Sequence, residues 1–313
     1  MRLAIILDPL EGIKTYKDTT YAIMREAAKR GHALFVMAQQ DVVLQGGDVL
    51  AFTRKLDMHE DRLPWYVLGD SQTSALTHFD AVLMRKDPPF DMEYIYSTYL
   101  LELAEAAGAR IFNRPHAIRN FNEKLSTAKF AQFAPPTLVT RQPDLIREFL
   151  GVHSDIILKP LDGMGGSGVF RVAQTDPNLN VIIETMTQLG TRTVMAQRYI
   201  PEIKLGDKRI LLIDGKAVPF ALARIPMPGE TRGNLAAGGR GVAQPLSKRD
   251  REIAETLAPV LRDQGLFLVG LDIIGDYLTE INVTSPTGFQ EITQQSGFNV
   301  AGMFVDALEC ACQ

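Results

Sequence analysis

Lys159 closes an apolar run, Ile156-Ile-Leu-Lys159, and four glycines follow within nine residues: Gly163, Gly165, Gly166 and Gly168. Residues without a Cβ let backbone N–H groups converge on an anion, and the lysine adds a full positive charge beside them. The chemistry is phosphate binding. Gly163-x-Gly165-x-x-Gly168 fits the dinucleotide fingerprint, but that motif opens a helix after its strand. Here Val169-Phe-Arg-Val172 alternates apolar and polar residues, which predicts a second strand. A Walker A loop carries its lysine after the glycines, whereas Lys159 precedes them. A β-hairpin whose glycine tip folds over phosphates is left, and its plain alternative is a glycine-rich hairpin without a ligand.

Other residues could share this chemistry. Lys124 alone reads as a surface lysine, but with Lys159 it could clamp phosphates from the opposite side. Glu280 and Asn282 are two apart in a strand and so share a face. A strict two-residue turn at Gly275-Asp276 would pair Asp272 with Thr279, on the wrong face. Asp272 joins the other two only through a three-residue turn or a bulge. Converging, the three are hard oxygen ligands of the kind magnesium takes. Arg85 and Asp87 follow the strand Phe79-Asp-Ala-Val-Leu-Met84, and ligands in open α/β sheets bind beyond the strands' carboxyl ends. Arg85 could hold a carboxylate and Asp87 an ammonium, with Pro88 and Pro89 stiffening the loop. A solvated charged turn has the same composition. Gly229 to Gly241, with five glycines, suits either a lid over an anion or a connector.

The elements that must position these groups can be read along the chain. Leu3 to Leu7 is a buried strand, Asp18 to Arg30 a helix with Asp18 or Thr19 as cap and Gly31 as stop, and Ala33 to Met37 a second strand. This βαβ opening predicts a right-handed parallel unit. Gln45-Gly-Gly-Asp48 reads as a polar segment. Met92 to Ala107 is helical and Arg110 to Asn113 a short strand, so a first domain closes near residue 120. Lys124 to Phe133 reads as helical, Thr137 to Thr140 as strand, Asp144 to Val152 as helix, Val181 to Leu189 as helix and Thr193 to Ile200 as strand. Asp214-Gly215 turns a hairpin between Ile210 to Ile213 and Ala217 to Ala223, with Arg224 at the end of the return strand. Arg249 to Gln264 is a helix, and Phe267 to Val283 a hairpin.

With 313 residues and 46% hydrophobic content, the chain suits two or three subdomains with sizeable cores. Its net charge of −4 lacks the basic surplus of a nucleic-acid binder. The first apolar run is too short for a signal peptide, and no stretch nears the roughly 18 apolar residues of a membrane span. Cys310 and Cys312, one residue apart, read as incidental thiols.

Lys124, Lys159 with its hairpin, Asp272 and Glu280-x-Asn282 together resemble the ATP-grasp superfamily. Arg85-Lys-Asp-Pro-Pro-Phe90, Lys159-Pro-Leu-Asp-Gly-Met-Gly-Gly166, Arg232-Gly-Asn-Leu-Ala-Ala-Gly-Gly-Arg-Gly241, Val269-Gly-Leu-Asp-Ile-Ile-Gly275 and Thr279-Glu-Ile-Asn-Val-Thr-Ser-Pro286 are similar to segments of the bacterial glutathione synthetase family. The likeness covers nearly the full length, and Gln45 to Pro64 and the tail after Thr287 are its least familiar parts. It implies an α/β fold, α+β in the ATP-binding part: an N-terminal open parallel-sheet domain at 1–121, then an ATP-grasp fold of two subdomains. The first, 122–202, carries the glycine-rich hairpin, and the second, 203–313, carries the metal site and a mobile lid at 226–241.

The same resemblance implies an ATP-dependent ligase that joins γ-glutamylcysteine to glycine through an acyl phosphate, releasing ADP and phosphate. It would be a cytoplasmic homo-oligomer, dimer or tetramer, with small-molecule substrates and neither nucleic acid nor membrane as partner. ATP would contact Lys124, Lys159, Gly165, Gly166, Ser167 and Asp207, with adenine against the strand edge at Gln197, Tyr199 and Ile200. The catalytic set would be Arg224, Lys159 and Arg209. Peptide and glycine would meet Arg85, Asp87, Arg232, Asn234, Gly238, Gly239, Ser285 and Thr287. Mg2+, with Mn2+ as the alternative, would sit on Asp272, Glu280 and Asn282. A ligase for another amino acid or peptide and a non-catalytic ATP-binding regulator remain open readings.

Overall fold

The N-terminal apolar run folds into β1 (Arg2–Ile6), whose last four residues are all buried. Asp18 caps α1 (Thr19–Lys29), its Oδ1 accepting from the Tyr21 N–H at 2.7 Å. β2 (Ala33–Met37) then pairs parallel with β1. The computed structural model describes residues 1–59, 63–230, 233 and 238–313.

Gln45-Gly-Gly-Asp48, read as a polar segment, is the tight turn joining the first two strands of an antiparallel meander whose strands were not read: β3 (Val42–Gln45), β4 (Asp48–Met58) and β5 (Tyr66–Ala75). Val49, Ala51 and Thr53 bury one face of β4, and Leu50 and Phe52 on the other face, with a register shift between Arg54 and Leu56, obscure the apolar alternation. After β6 (Ala81–Met84), α2 (Met92–Ala106), β7 (Ile111–Phe112) and α3 (Pro115–Asn120), the sheet order is β3-β4-β2-β1-β6-β7, with β5 on β4. Only β2, β1, β6 and β7 are parallel, so the open parallel sheet carries an antiparallel extension. β1 lies between β2 and β6, which makes the carboxyl ends of β1 and β6 the topological switch point.

The second sheet contains β8 (Thr137–Thr140), β9 (Asp155–Pro160), β10 (Phe170–Ala173) and β11 (Val194–Arg198), in antiparallel order β10-β9-β11-β8. α4 (Pro143–His153) and α5 (Leu179–Thr187) share its core through Ile146, Leu150 and Ile183. The stretch expected to be helical after Lys124 is a 3-10 turn, Leu125–Phe130.

The third sheet has the order β14-β13-β12-β15-β16, from β12 (Asp207–Ile213), β13 (Lys216–Ile225), β14 (Arg240–Pro245), β15 (Leu268–Ile274) and β16 (Tyr277–Asn282). Asp214 (φ 45°) and Gly215 (φ 71°) both lie in the left-handed region, as a tight primed turn requires. α6 (Lys248–Asp263) packs on this sheet, burying Ile253, Leu257 and Leu261.

The unfamiliar tail forms α7 (Phe289–Ser296) and α8 (Val300–Cys312), which return to the first domain. Phe304, Val305 and Leu308 share a core with Leu3, Ile5 and Ile23. Asn113 staples the first and third sheets together. Its Nδ2 donates to the carbonyls of Leu268 (2.8 Å) and Val283 (2.9 Å), and its Oδ1 accepts from the N–H groups of Phe267 (2.6 Å) and Leu268 (2.7 Å).

Candidate active site

β9, the glycine segment and β10 form an antiparallel hairpin, so the loop belongs to neither helix-opening motif. Gly165, Gly166 and Gly168 have φ of 62°, 81° and 68°, which glycine adopts at little cost. At Gly163 a Cβ would come within 2.7 Å of the Pro160 ring. Lys124 holds the hairpin in place, its Nζ donating to the Gly163 carbonyl at 2.7 Å.

The register condition on Asp272 is met by a bulge. Ile274 pairs with Tyr277 across a two-residue turn and Ile273 pairs with Leu278, but Asp272 then pairs with Glu280. Thr279 is the extra residue, and its hydroxyl donates to the Asp272 carbonyl at 3.1 Å. From there the pairing is regular to Gly270 opposite Asn282, which puts Asp272, Glu280 and Asn282 on one face.

A cavity of about 830 Å3 opens between the second and third sheets. Every residue expected at ATP lines it: Lys124, Lys159, Gly165, Gly166, Ser167, Gln197, Tyr199, Ile200 and Asp207. Ile157, Val169, Ile203 and Ile274 add apolar walls suited to a flat base, a contribution that short apolar runs do not signal in sequence. The expected free strand edge is corrected: β11 has partners on both sides, and the Tyr199 N–H is given to the Asp155 carbonyl at 3.0 Å. Tyr199 and Ile200 reach the cavity from beyond the strand's end. Arg171 stacks on the Tyr199 ring, 3.8 Å from its centroid, and pairs with Asp155 at 2.6 Å, which stiffens this wall.

At the floor, cations and carboxylates are interleaved. Glu280 lies 3.5 Å from Lys124 and 3.7 Å from Lys159. Asp272 accepts from Arg209 Nε (2.5 Å) and Nη2 (2.9 Å) and from Arg224 Nη2 (2.8 Å), and Arg224 also pairs with Asp207. Burial raises the Asp272 pKa, but Arg209 and Arg224 outweigh it and hold the carboxyl well below the usual range. Burial acts the same way on Glu280, where Lys124 and Lys159 prevail. Burial depresses Lys159 despite Glu280 beside it. Asp207 is pushed up to about 7, by burial above all, against the pull of Arg224. Its Oδ1 is buried without a hydrogen-bond partner among the described residues.

A second cavity, about 1290 Å3, lies across this cluster at the carboxyl ends of β1 and β6. Arg209, Arg224 and Asn282 form one side, and Asp87, Ser285 and Thr287 also line it, as expected for peptide-side residues. Met164 and Gly165 line both cavities, so the hairpin tip stands between them. Lys14, Lys17, Asp18, Glu123 and Glu291 line the second cavity as well and were not anticipated. The strand-end rule could have suggested the loop after β1, whereas Glu291 lies in the unread tail.

Arg85 departs from expectation. It is 6% exposed and lines neither cavity, because Nε donates to Thr20 Oγ1 (3.1 Å) and Nη2 to the Pro286 carbonyl (3.1 Å). Gly238 and Gly239 likewise are on neither wall. Arg232, Asn234 and part of the expected lid (Thr231 and 235–237) lie outside the described residues. Gly233 is on the wall of the first cavity, where a Cβ would come within 2.4 Å of the Arg224 carbonyl oxygen.

The donor chemistry suits a nucleotide and a hard cation. Buried lysines and the glycine hairpin line an apolar slot, and Asp272, Glu280 and Asn282 offer oxygen atoms of the type magnesium takes. Among the described residues no three His, Cys, Asp or Glu side chains converge as a metal cluster, and the expected set offers two carboxylates beside the Asn282 amide.

Comparison with known proteins agrees with this geometry. Residues 1–119 match the prokaryotic glutathione synthetase N-terminal domain, and residues 123–297 match the prokaryotic glutathione synthetase ATP-grasp domain. A glutathione synthetase of Nitrosomonas europaea is 62% identical over 99% of this chain and 98% of its own length. One from Ralstonia nicotianae is 61% identical over 99% of this chain and 96% of its own. The crystal structure of the D-cycloserine synthetase DcsG superposes with a TM-score of 0.72 at 16% identity, covering 99% of this chain and 100% of that one, which shows the shared fold. With both family domains matched in order and relatives above 60% identity over almost the whole chain, this protein belongs to the prokaryotic glutathione synthetase family and is an ATP-dependent ligase of ATP-grasp fold.

Proposed function

We propose that the chain joins γ-glutamylcysteine to glycine, with ATP cleaved to ADP and phosphate. The observation that carries this reading is the placing of two cavities on either side of one buried cation cluster, with Met164 and Gly165 common to both. ATP lies in the first cavity, its phosphates between the glycine hairpin, Lys124 and Lys159. The dipeptide lies in the second, its cysteinyl carboxylate toward Arg209 and Arg224.

The obstacle is that two anions must meet. A carboxylate oxygen attacks the γ-phosphorus and the bond to ADP breaks, giving an acyl phosphate. The glycine amine then attacks the acyl carbon, phosphate leaves with one former carboxylate oxygen, and the amine loses a proton. Lys159, Arg209 and Arg224 offset the charge that accumulates, and they are already fixed by Glu280, Asp272 and Asp207, so little reorganisation is required. A magnesium ion on Asp272, Glu280 and Asn282 would supply further neutralisation of phosphate charge. We assign 226–241 as cover over the intermediate, on its glycine content and on the position of Gly233 at the cavity wall. The apolar stripe Met92, Tyr96, Tyr99 and Leu103 on α2, each about half exposed, supports a homo-oligomer.

The experiment is ADP release with defined substrate pairs. Release should require both γ-glutamylcysteine and glycine. A strong preference for another pair would replace the substrate assignment, and no carboxylate-dependent release at all would indicate a nucleotide-binding regulator.

A further inference from the structure

A third cavity, of about 840 Å3, opens in the N-terminal domain where β1 and β2 end, and it shares no wall residue with the other two. Three carboxylates, Asp8, Glu11 and Asp41, and one guanidinium, Arg54, line it beside Phe52 and Leu68 from the meander. Asp8 has a counter-charge already, since Lys86 Nζ lies 2.9 Å from its Oδ1. Glu11 stays ionised, its pKa lowered by its own backbone N–H and by the Tyr66 hydroxyl, which donates at 2.9 Å. Asp41 Oδ2 accepts from the Ala38 N–H at 2.7 Å. Among the described residues Asp41 Oδ1 accepts no hydrogen bond, and Arg54 has neither an ion pair nor a side-chain hydrogen bond.

This mixture of signs selects its ligand. A simple anion would pair with Arg54 and meet Glu11 and Asp41 as like charges, and a simple amine would do the reverse. An α-amino acid carries both charges on one carbon, so its carboxylate and its ammonium each find a partner. Phe52 is 44% exposed, which leaves apolar surface for the amino acid's side chain to cover.

The third cavity also reaches the second by two routes. Asp8 Oδ2 accepts the Asp87 N–H at 2.9 Å, and Asp87 lines the second cavity. The 3-10 turn Leu10–Gly12 spans the gap as well, with Leu10 and Glu11 on the third cavity and Gly12 on the second.

We propose that the third cavity binds a free α-amino acid with an apolar side chain, its carboxylate on Arg54 and its ammonium on Glu11 and Asp41, and that occupation weakens binding of the peptide substrate in the second cavity. The ammonium competes with Lys86 and the Asp87 N–H for the Asp8 carboxylate, which loosens the loop on the peptide's side. The site stands on its own geometry, whereas the coupling rests on the ligase reading given above.

The test follows binding of L-leucine to the enzyme, without ATP or peptide, by saturation-transfer NMR and by the fluorescence of Trp65, whose ring centroid is 4.8 Å from that of Tyr66. Arg54→Gln and Glu11→Gln should each weaken binding by roughly tenfold or more, and either variant decides the matter should the other fail to fold. Leucinamide and isocaproate, which lack the carboxylate and the ammonium in turn, should bind the parent more weakly than leucine by a similar factor. In turnover, saturating leucine should raise the parent's KM for γ-glutamylcysteine by roughly fivefold with KM for ATP unchanged, and should leave Arg54→Gln unaffected. Without leucine, Arg54→Gln should match the parent in kcat and KM.

No leucine binding by the parent, or equal binding by parent and variants, would overturn the site. A leucine effect on KM that survives in Arg54→Gln would mean that the amino acid competes in the second cavity, and binding with no change of KM would overturn the coupling. If the parent turns over no γ-glutamylcysteine, the ligase reading and the coupling fall, while the binding measurements still decide the site.

Discussion

Replacing Asp272 by asparagine tests how the cation cluster is held. The carboxylate is 2% exposed and accepts three guanidinium hydrogen bonds, one at Oδ1 from Arg209 and two at Oδ2 from Arg209 and Arg224. An asparagine of the same size would do best with its carbonyl at the Oδ2 position, keeping two bonds without their ionic component. Its amide would then face Arg209 Nε, donor against donor. One lost bond to a buried charged donor and two weakened ones amount to about 3–5 kcal/mol. A compensation operates, since Asp272 is among the groups that raise the Asp207 pKa, and its removal lets Asp207 ionise more fully beside Arg224. The expected destabilisation is therefore at the lower end, about 3 kcal/mol. Urea unfolding should be followed by far-UV circular dichroism and by the single tryptophan, Trp65, which sits in the N-terminal core. The far-UV transition should move to lower urea. An unchanged midpoint would refute the assignment of Asp272 as counter-charge to both arginines.

Other consequences can be measured separately. Lys159→Met should weaken ATP binding by roughly 30-fold or more in calorimetry, while the empty protein melts no lower than the parent, because a desolvated ammonium is replaced by an apolar chain of similar length. A large fall in melting temperature would contradict this. Asn113→Ala should destabilise by about 3–6 kcal/mol, since two backbone N–H groups and two carbonyls lose their buried partner; a loss below about 1 kcal/mol in denaturant titration would mean that the staple is dispensable. Iodoacetamide at neutral pH should label exposed Cys310 before Cys312, whose thiol burial pushes up and which donates to the Asp80 carbonyl. Labelling of Cys312 should accelerate as pH rises, and equal rates at neutral pH would count against its burial.

What the sequence made legible was local. The apolar run, the lysine, the glycines and the alternation after them fall within about twenty contiguous residues, and period and glycine geometry are local properties. The facing of Asp272 toward Glu280 depended on a bulge at Thr279, which no residue type announces, so the sequence supported only a conditional statement. β4 was obscured because Leu50 and Phe52 stand on its more exposed face and a register shift between Arg54 and Leu56 breaks the period of two. α7, Phe289-Gln-Glu-Ile-Thr-Gln-Gln-Ser296, is polar enough to pass for a loop, and its burial against the first domain is a contact across most of the chain. Missing α7 hid Glu291. Arg85 was placed correctly at a strand end, but its direction is set by the Pro286 carbonyl, 201 residues away. Side-chain direction at a domain junction is fixed by such partners rather than by neighbours in sequence.

In the proposed mechanism the cluster of Lys159, Arg209 and Arg224 brings a carboxylate onto the γ-phosphate. It is tested most directly with γ-glutamylcysteine carrying 18O in both oxygens of its cysteinyl carboxylate, incubated with glycine, ATP and magnesium. An acyl-phosphate route transfers one labelled oxygen to inorganic phosphate for each glutathione formed and leaves the other in the new amide. Glutathione formed with no label in phosphate would contradict the account.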